Sequence, residues 1–143
     1  MQVNVIGAGL AGCEAALWLA DAGVQVDLYE QKPGKFSPAH KSAGFAELIC
    51  SNSLKAERPD SASGLLKLEM KMMGSHLLQA AETARVAAGG ALAVDREAFA
   101  RQITQRIQEH PGINLEHAEV CSVQQACEGA DAVILASGPL TSD

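Results

Sequence analysis

Three glycines in the opening stretch MQVNVIGAGLAG, at Gly7, Gly9 and Gly12, have the spacing that brings bare backbone up to a phosphate. Behind a strand, Gly7 permits a tight turn, Gly9 lets the main chain approach a pyrophosphate, and Gly12 lets the following helix lie close to the strand. Ala8, Leu10 and Ala11 fill the positions between. The helix that starts here adds N–H donors and the positive end of its dipole. Glu30 stands eighteen residues after Gly12. Its carboxylate there accepts hydrogen bonds from an adenosine ribose and repels a 2′-phosphate, which favours FAD or NAD over NADP. A lone GxGxxG is weak evidence, but here strand, helix, second strand and terminal acid follow in the required order.

The four cysteines, Cys13, Cys50, Cys121 and Cys127, form no CxxC pair, which argues against zinc, and no metal is expected. The N-terminal apolar run lacks a basic flank and is soon interrupted by glycine, so it reads as neither a signal peptide nor a membrane span. A cytoplasmic chain with free thiols is the expectation. From residue type alone, Cys50 in its mixed loop is either a small buried hydrophobe or a nucleophile.

Those residues need a framework to hold them. A chain of 143 residues with 48% hydrophobic content forms one domain with a core of its own. Gln2 to Ile6 reads as a strand, and Leu10 to Ala22 as a helix whose Ala11, Ala15, Ala16 and Leu19 form a small-residue face. Gly23 ends it, and Val24 to Glu30 alternates as a second strand, completing a βαβ unit. From Gln31 to about Ser63 the composition of Pro, Ser, Lys and Asn predicts a loop. Leu66, Met70, Met73, Leu77 and Ala80 then recur at helical spacing, predicting a helix with a core-packing stripe. GGALAV predicts a turn and short strand, and Asp95 an N-cap for a helix that faces Phe99, Ile103 and Ile107 inward until Pro111-Gly112. Ile113 to Val120 and Ala132 to Ala136 predict two more strands, with Gln2 to Ile6 central between Val24 to Glu30 and Ala132 to Ala136. The class is α/β, a Rossmann-like domain with a mainly parallel sheet and helices on both faces.

The net charge of -6 speaks against a nucleic-acid partner, yet residues 31–72 hold seven Lys/Arg against four Asp/Glu. A solvated surface is the plain reading of that basic segment, and an anionic partner the sharper one.

VIGAGLAGCEAA, LYEQKP, PAHKSAGFAELICSNSL, GLLKLEM, RVAAGGALAVDREAF and ASGPLTSD together resemble the folate- and FAD-dependent tRNA (uracil-5-)-methyltransferase family, which is related to the glucose-inhibited division protein A family. AELICSNSL and AGGALAVDREAF are the most specific segments and separate this family from its larger relative. The resemblance implies an enzyme that methylates a T-loop uridine of tRNA, taking its carbon from 5,10-methylenetetrahydrofolate with FAD and using NAD(P)H as the electron source. By position it implies Gly7, Ala8, Gly9, Leu10, Ala11 and Gly12 for the FAD pyrophosphate, Glu30 for its ribose, and Cys50 for attack on the uracil ring. Uracil C5 becomes nucleophilic when a thiolate adds at C6, which is why a cysteine serves. Ser137 stands where the family usually has Thr, and Ala87 where Pro is common. Family members are much longer, so the chain is expected to be the N-terminal part of an FAD-binding domain, incomplete relative to the family, with a loop-plus-helix insertion at about 31–85. The alternative is a dinucleotide-binding module without catalysis of its own. Half a site leaves apolar surface uncovered, and self-association is expected.

Overall fold

The computed structural model describes residues 1–139. Its main sheet is built from β1 (Gln2–Ile6), β2 (Gln25–Tyr29), β6 (Ile113–Glu116) and β7 (Ala132–Leu135) in the order β6-β2-β1-β7, every pairing parallel. β1 lies inside the sheet with β2 on one side and β7 on the other, as the sequence predicts. Val3 pairs with Val26 and Val5 with Leu28. All four are buried, and they share one sheet face because alternate residues of a strand point the same way.

That face receives α1 (Leu10–Asp21), which buries Gly12, Cys13, Ala16, Leu17 and Ala20. Beside it lies α4 (Arg96–Glu109), with Phe99, Ile103 and Ile107 fully buried and the Asp95 carboxylate accepting from the Ala98 amide at 2.9 Å. The opposite face is covered by the short α5 (Val123–Cys127) where it crosses β1 and β7. There the buried Asn4 side chain donates to the carbonyls of Ala126 (2.9 Å) and Glu128 (3.2 Å).

Residues 31–85 hold more structure than a loop and one helix. β3 (Ser53–Ala56), β4 (Arg85–Val86) and β5 (Ala91–Val94) form a separate antiparallel sheet in the order β3-β5-β4. The predicted single helix is two, α2 (Ala62–Met72) and α3 (His76–Thr83), broken at Gly74, whose φ of +80° no helix accommodates. The break turns the stripe out of register. Leu77 and Ala80 are buried and Met70 packs at the edge of the core, but Leu66 (56% exposed) and Met73 (65% exposed) face solvent, contrary to the core-packing expectation. The strand expected over Ile113 to Val120 ends at Glu116, before α5. No helix among the described residues is long and apolar enough to cross a membrane.

A charged knot ties α3 and β4 to the loop after β3. The Arg85 guanidinium donates to Glu57 (2.5 and 2.7 Å) and to Glu82 (2.7 and 3.0 Å), and Lys71 pairs with Glu82. Arg85 holds the Glu57 carboxyl below its ordinary value, and Lys71 and then Arg85 do the same for Glu82. A depressed carboxyl contributes stability above its unfolded pKa, about 4.3, and loses it as pH falls through the folded value. Thermal melts should therefore be flat from pH 6 to 8 and fall below about pH 4. Arg85→Gln should shrink that acid-side fall, and an unchanged acid limb would show that the knot contributes nothing.

Candidate functional site

The C-terminal ends of β1, β2 and β7 open onto a cleft of about 340 Å³. Its floor is the glycine turn. Gly7 has φ of +102°, and a Cβ there would lie 2.6 Å from the Ala136 carbonyl oxygen. A Cβ on Gly12 would lie 1.8 Å from the Gly7 carbonyl oxygen. These two glycines are required by the fold. Gly9 differs: a Cβ there would meet nothing within 4 Å, so its bare backbone faces open space. Gly9 is also the N-cap of α1, with no side chain capping the helix. Uncapped amides over an open cradle are what a diphosphate requires.

Ile6, Gly7, Ala8, Gly9, Leu10 and Ala11 all line the cleft, whereas Gly12 sits behind the turn with its backbone against the strand. Glu30 also lines it, from the residue after β2. Its carboxylate is buried and accepts from the Ala8 amide at 2.9 Å and the Lys32 amide at 3.0 Å. One acid thus fixes the glycine turn while each oxygen keeps a second lone pair for a ligand hydroxyl.

Sequence reasoning missed how the next loop is fastened to this floor. The Lys32 side chain is buried, and its ammonium donates to the carbonyls of Gly44 (2.5 Å) and Ser42 (3.3 Å). The Ala46 amide donates to the Ala8 carbonyl at 2.9 Å from a backbone at φ of +50°. Phe45 is buried, and its amide donates to Thr104 Oγ1 on α4 at 2.8 Å. Glu47 accepts from the amides of Lys41 and Ser42. The only sequence signal for this was GFAEL, within the resemblance.

Cys50 follows Ile49, a cleft-lining residue, and its side chain is exposed. The loop is fastened again just beyond it, where Asn52 exchanges hydrogen bonds with the backbone of Val94 (2.9 and 3.3 Å). Lys55, near Cys50 in sequence, is in β3. Cys13 is a buried neighbour of the turn, its thiol donating to the Ala8 carbonyl at 3.3 Å, and burial pushes it up to about 12. Cys121 and Cys127 are exposed and outside the cleft.

Known proteins resemble this chain in sequence and in fold. The methylenetetrahydrofolate–tRNA-(uracil-5-)-methyltransferase TrmFO of Syntrophotalea carbinolica is 56% identical over 142 residues, 99% of this chain and 30% of the relative. The protein of the same name from Nitratidesulfovibrio vulgaris strain Hildenborough is 55% identical over 139 residues, 96% of this chain and 29% of the relative. The chain therefore spans about a third of the length of these curated relatives. Among solved structures, Aquifex aeolicus GidA superposes with a TM-score of 0.64 at 18% identity, covering 83% of this chain and 20% of that one, a likeness of fold. The family model described as glucose inhibited division protein A matches residues 2–143, and with the turn, the acid and the parallel sheet in place, the chain belongs to that family.

Proposed function

We propose that this chain is the N-terminal FAD-binding segment of a methylenetetrahydrofolate- and FAD-dependent tRNA (uracil-5-)-methyltransferase acting on the T-loop uridine. The observation that carries the reading is the identity above 50% along nearly the whole chain with relatives of that name. In this reading residues 1–143 are the first part of the flavin domain, with an insertion at about 31–85, in a cytoplasmic enzyme. NAD(P)H is its reductant.

The residues fit the diphosphate end of FAD. The Gly7 amide is taken by the Tyr29 carbonyl and the Ala8 amide by Glu30, so the uncapped amides at the start of α1 would hold the pyrophosphate over the open side of Gly9, and Glu30 would take the ribose hydroxyls. FAD, when bound, would pass on the two electrons from NAD(P)H that reduce the folate-borne methylene carbon to a methyl group. Cys50 acts on the other substrate, its thiolate adding at uracil C6 so that C5 becomes the nucleophile. Methyl transfer to unmodified tRNA by the full-length protein, given methylenetetrahydrofolate and NADH, tests the reading. A flavoprotein that leaves the T-loop uridine untouched overturns it.

Glu30→Ala in that protein is expected to weaken FAD binding by about 10- to 100-fold, the loss of a charge-assisted hydrogen bond at a buried site. Titration calorimetry on the apoprotein reads the change, and unaltered affinity removes Glu30 from the site. The 143-residue piece exposes Trp18, Leu66, Met72 and Met73 and should self-associate. Light scattering that shows a monomer at high concentration refutes this.

A further inference from the structure

A second opening, a groove of about 710 Å³, runs between the 39–49 loop and α4. Lys41, Arg96 and Arg101 line it. None of the three has an ion-pair partner among the described residues; Arg96 donates to the Leu48 carbonyl at 3.4 Å. Two acids share the groove, Glu47 and Glu97. Glu47 is already engaged by the Lys41 and Ser42 amides and lies 3.9 Å from the Lys32 ammonium. The groove's lining therefore carries one more cation than acid, and one of its acids already faces the Lys32 ammonium, on a chain whose net charge is -6. Cations gathered without carboxylate partners repel one another, and an anion relieves that repulsion.

The groove also leads to the candidate nucleophile. Glu47 and Ile49 line both it and the dinucleotide cleft, and the exposed Cys50 is the next residue along the chain. Arg96 and Arg101 stand about 7.5 Å apart along the axis of α4, at 1.5 Å per residue. No aromatic residue lines the groove, so it offers charge to a backbone and no stacking platform to bases.

We propose that this groove seats the phosphodiester backbone of the RNA strand carrying the target uridine and presents that base to Cys50. The inference rests on the methyltransferase reading and assigns the substrate's path across this segment. Lys41 and Arg101 are exposed, so replacing them leaves the fold intact.

The experiment uses the full-length flavoprotein with Lys41→Gln, Arg101→Gln and both together. It measures affinity for unmodified tRNA from 50 to 200 mM salt, with flavin absorbance as the check on folding. Each single change is expected to weaken binding several-fold, and to lower the slope of log affinity against log salt by nearly one, as loss of one phosphate contact does. If the wild-type enzyme methylates tRNA while the variants keep its affinity and slope, the groove is not the path and the methyltransferase reading survives. A raised KM for methylenetetrahydrofolate with tRNA affinity unchanged gives the groove to the folate and likewise overturns the inference. If the wild type neither binds nor methylates tRNA, the functional reading falls and takes the inference with it.

Discussion

Gly12→Ala is expected to destabilise the chain by about 3 kcal/mol or more and to abolish dinucleotide binding. The added Cβ would lie 1.8 Å from the Gly7 carbonyl oxygen and 3.0 Å from its carbon, both of them backbone. No side-chain rotation relieves such an overlap, so α1 must lift from the sheet or the turn must open. Lifting α1 exposes Cys13, Ala16, Leu17 and Ala20, and forced overpacking of this kind falls among the most damaging single changes. Gly9→Ala provides the contrast. Its Cβ meets nothing within 4 Å and its backbone, at φ of -75°, suits alanine, so stability should stay within about 0.5 kcal/mol. The methyl group would instead stand where the diphosphate approaches, and FAD affinity in the full-length protein should fall. Urea unfolding of both variants beside flavin titration separates the two roles, and a Gly12→Ala protein as stable as wild type would contradict the close packing.

The features legible in the sequence share a cause: each is set by residues near one another along the chain. The βαβ unit follows from alternation in VQVDLY, a glycine turn and a small-residue helix face, and α4 from an N-cap with a regular apolar period. In the antiparallel β3-β5-β4 sheet only β5 had such a signal, the short strand read from GGALAV. β4 is two residues long, and β3 contains Lys55 at φ of +72°, so neither alternates as a strand should. The helical period ran unbroken through Leu66, Met70, Met73, Leu77 and Ala80, and hid the break at Gly74. At the site, the glycines and Glu30 were readable because their roles belong to one local motif. The fastening of the Cys50 loop was not, since it depends on partners as distant as Phe45 and Thr104, 59 residues apart.

Cys50→Ser in the full-length enzyme is expected to lower methyl transfer by three orders of magnitude or more while leaving bound flavin and fold unchanged. A serine hydroxyl at neutral pH is far less nucleophilic than a thiolate, and removing a covalent nucleophile costs catalysis on about this scale. The surroundings of Cys50 suit that role. It is exposed on a loop fastened before it, by Ala46 to the Ala8 carbonyl, and after it, by Asn52 to Val94, so the sulfur is accessible yet its backbone is held. Cys13 lacks that access: it is buried, its thiol donates to the Ala8 carbonyl, and burial keeps it protonated, pushed up to about 12. Cys13→Ser should thus alter stability more than turnover. Cys121→Ser and Cys127→Ser, both at exposed positions, should alter neither by more than about 0.5 kcal/mol. The flavin spectrum of each purified variant, followed by single-turnover methylation of unmodified tRNA, distinguishes these outcomes. Wild-type turnover in Cys50→Ser would move the attacking group to another part of the enzyme and leave Cys50 as a surface residue.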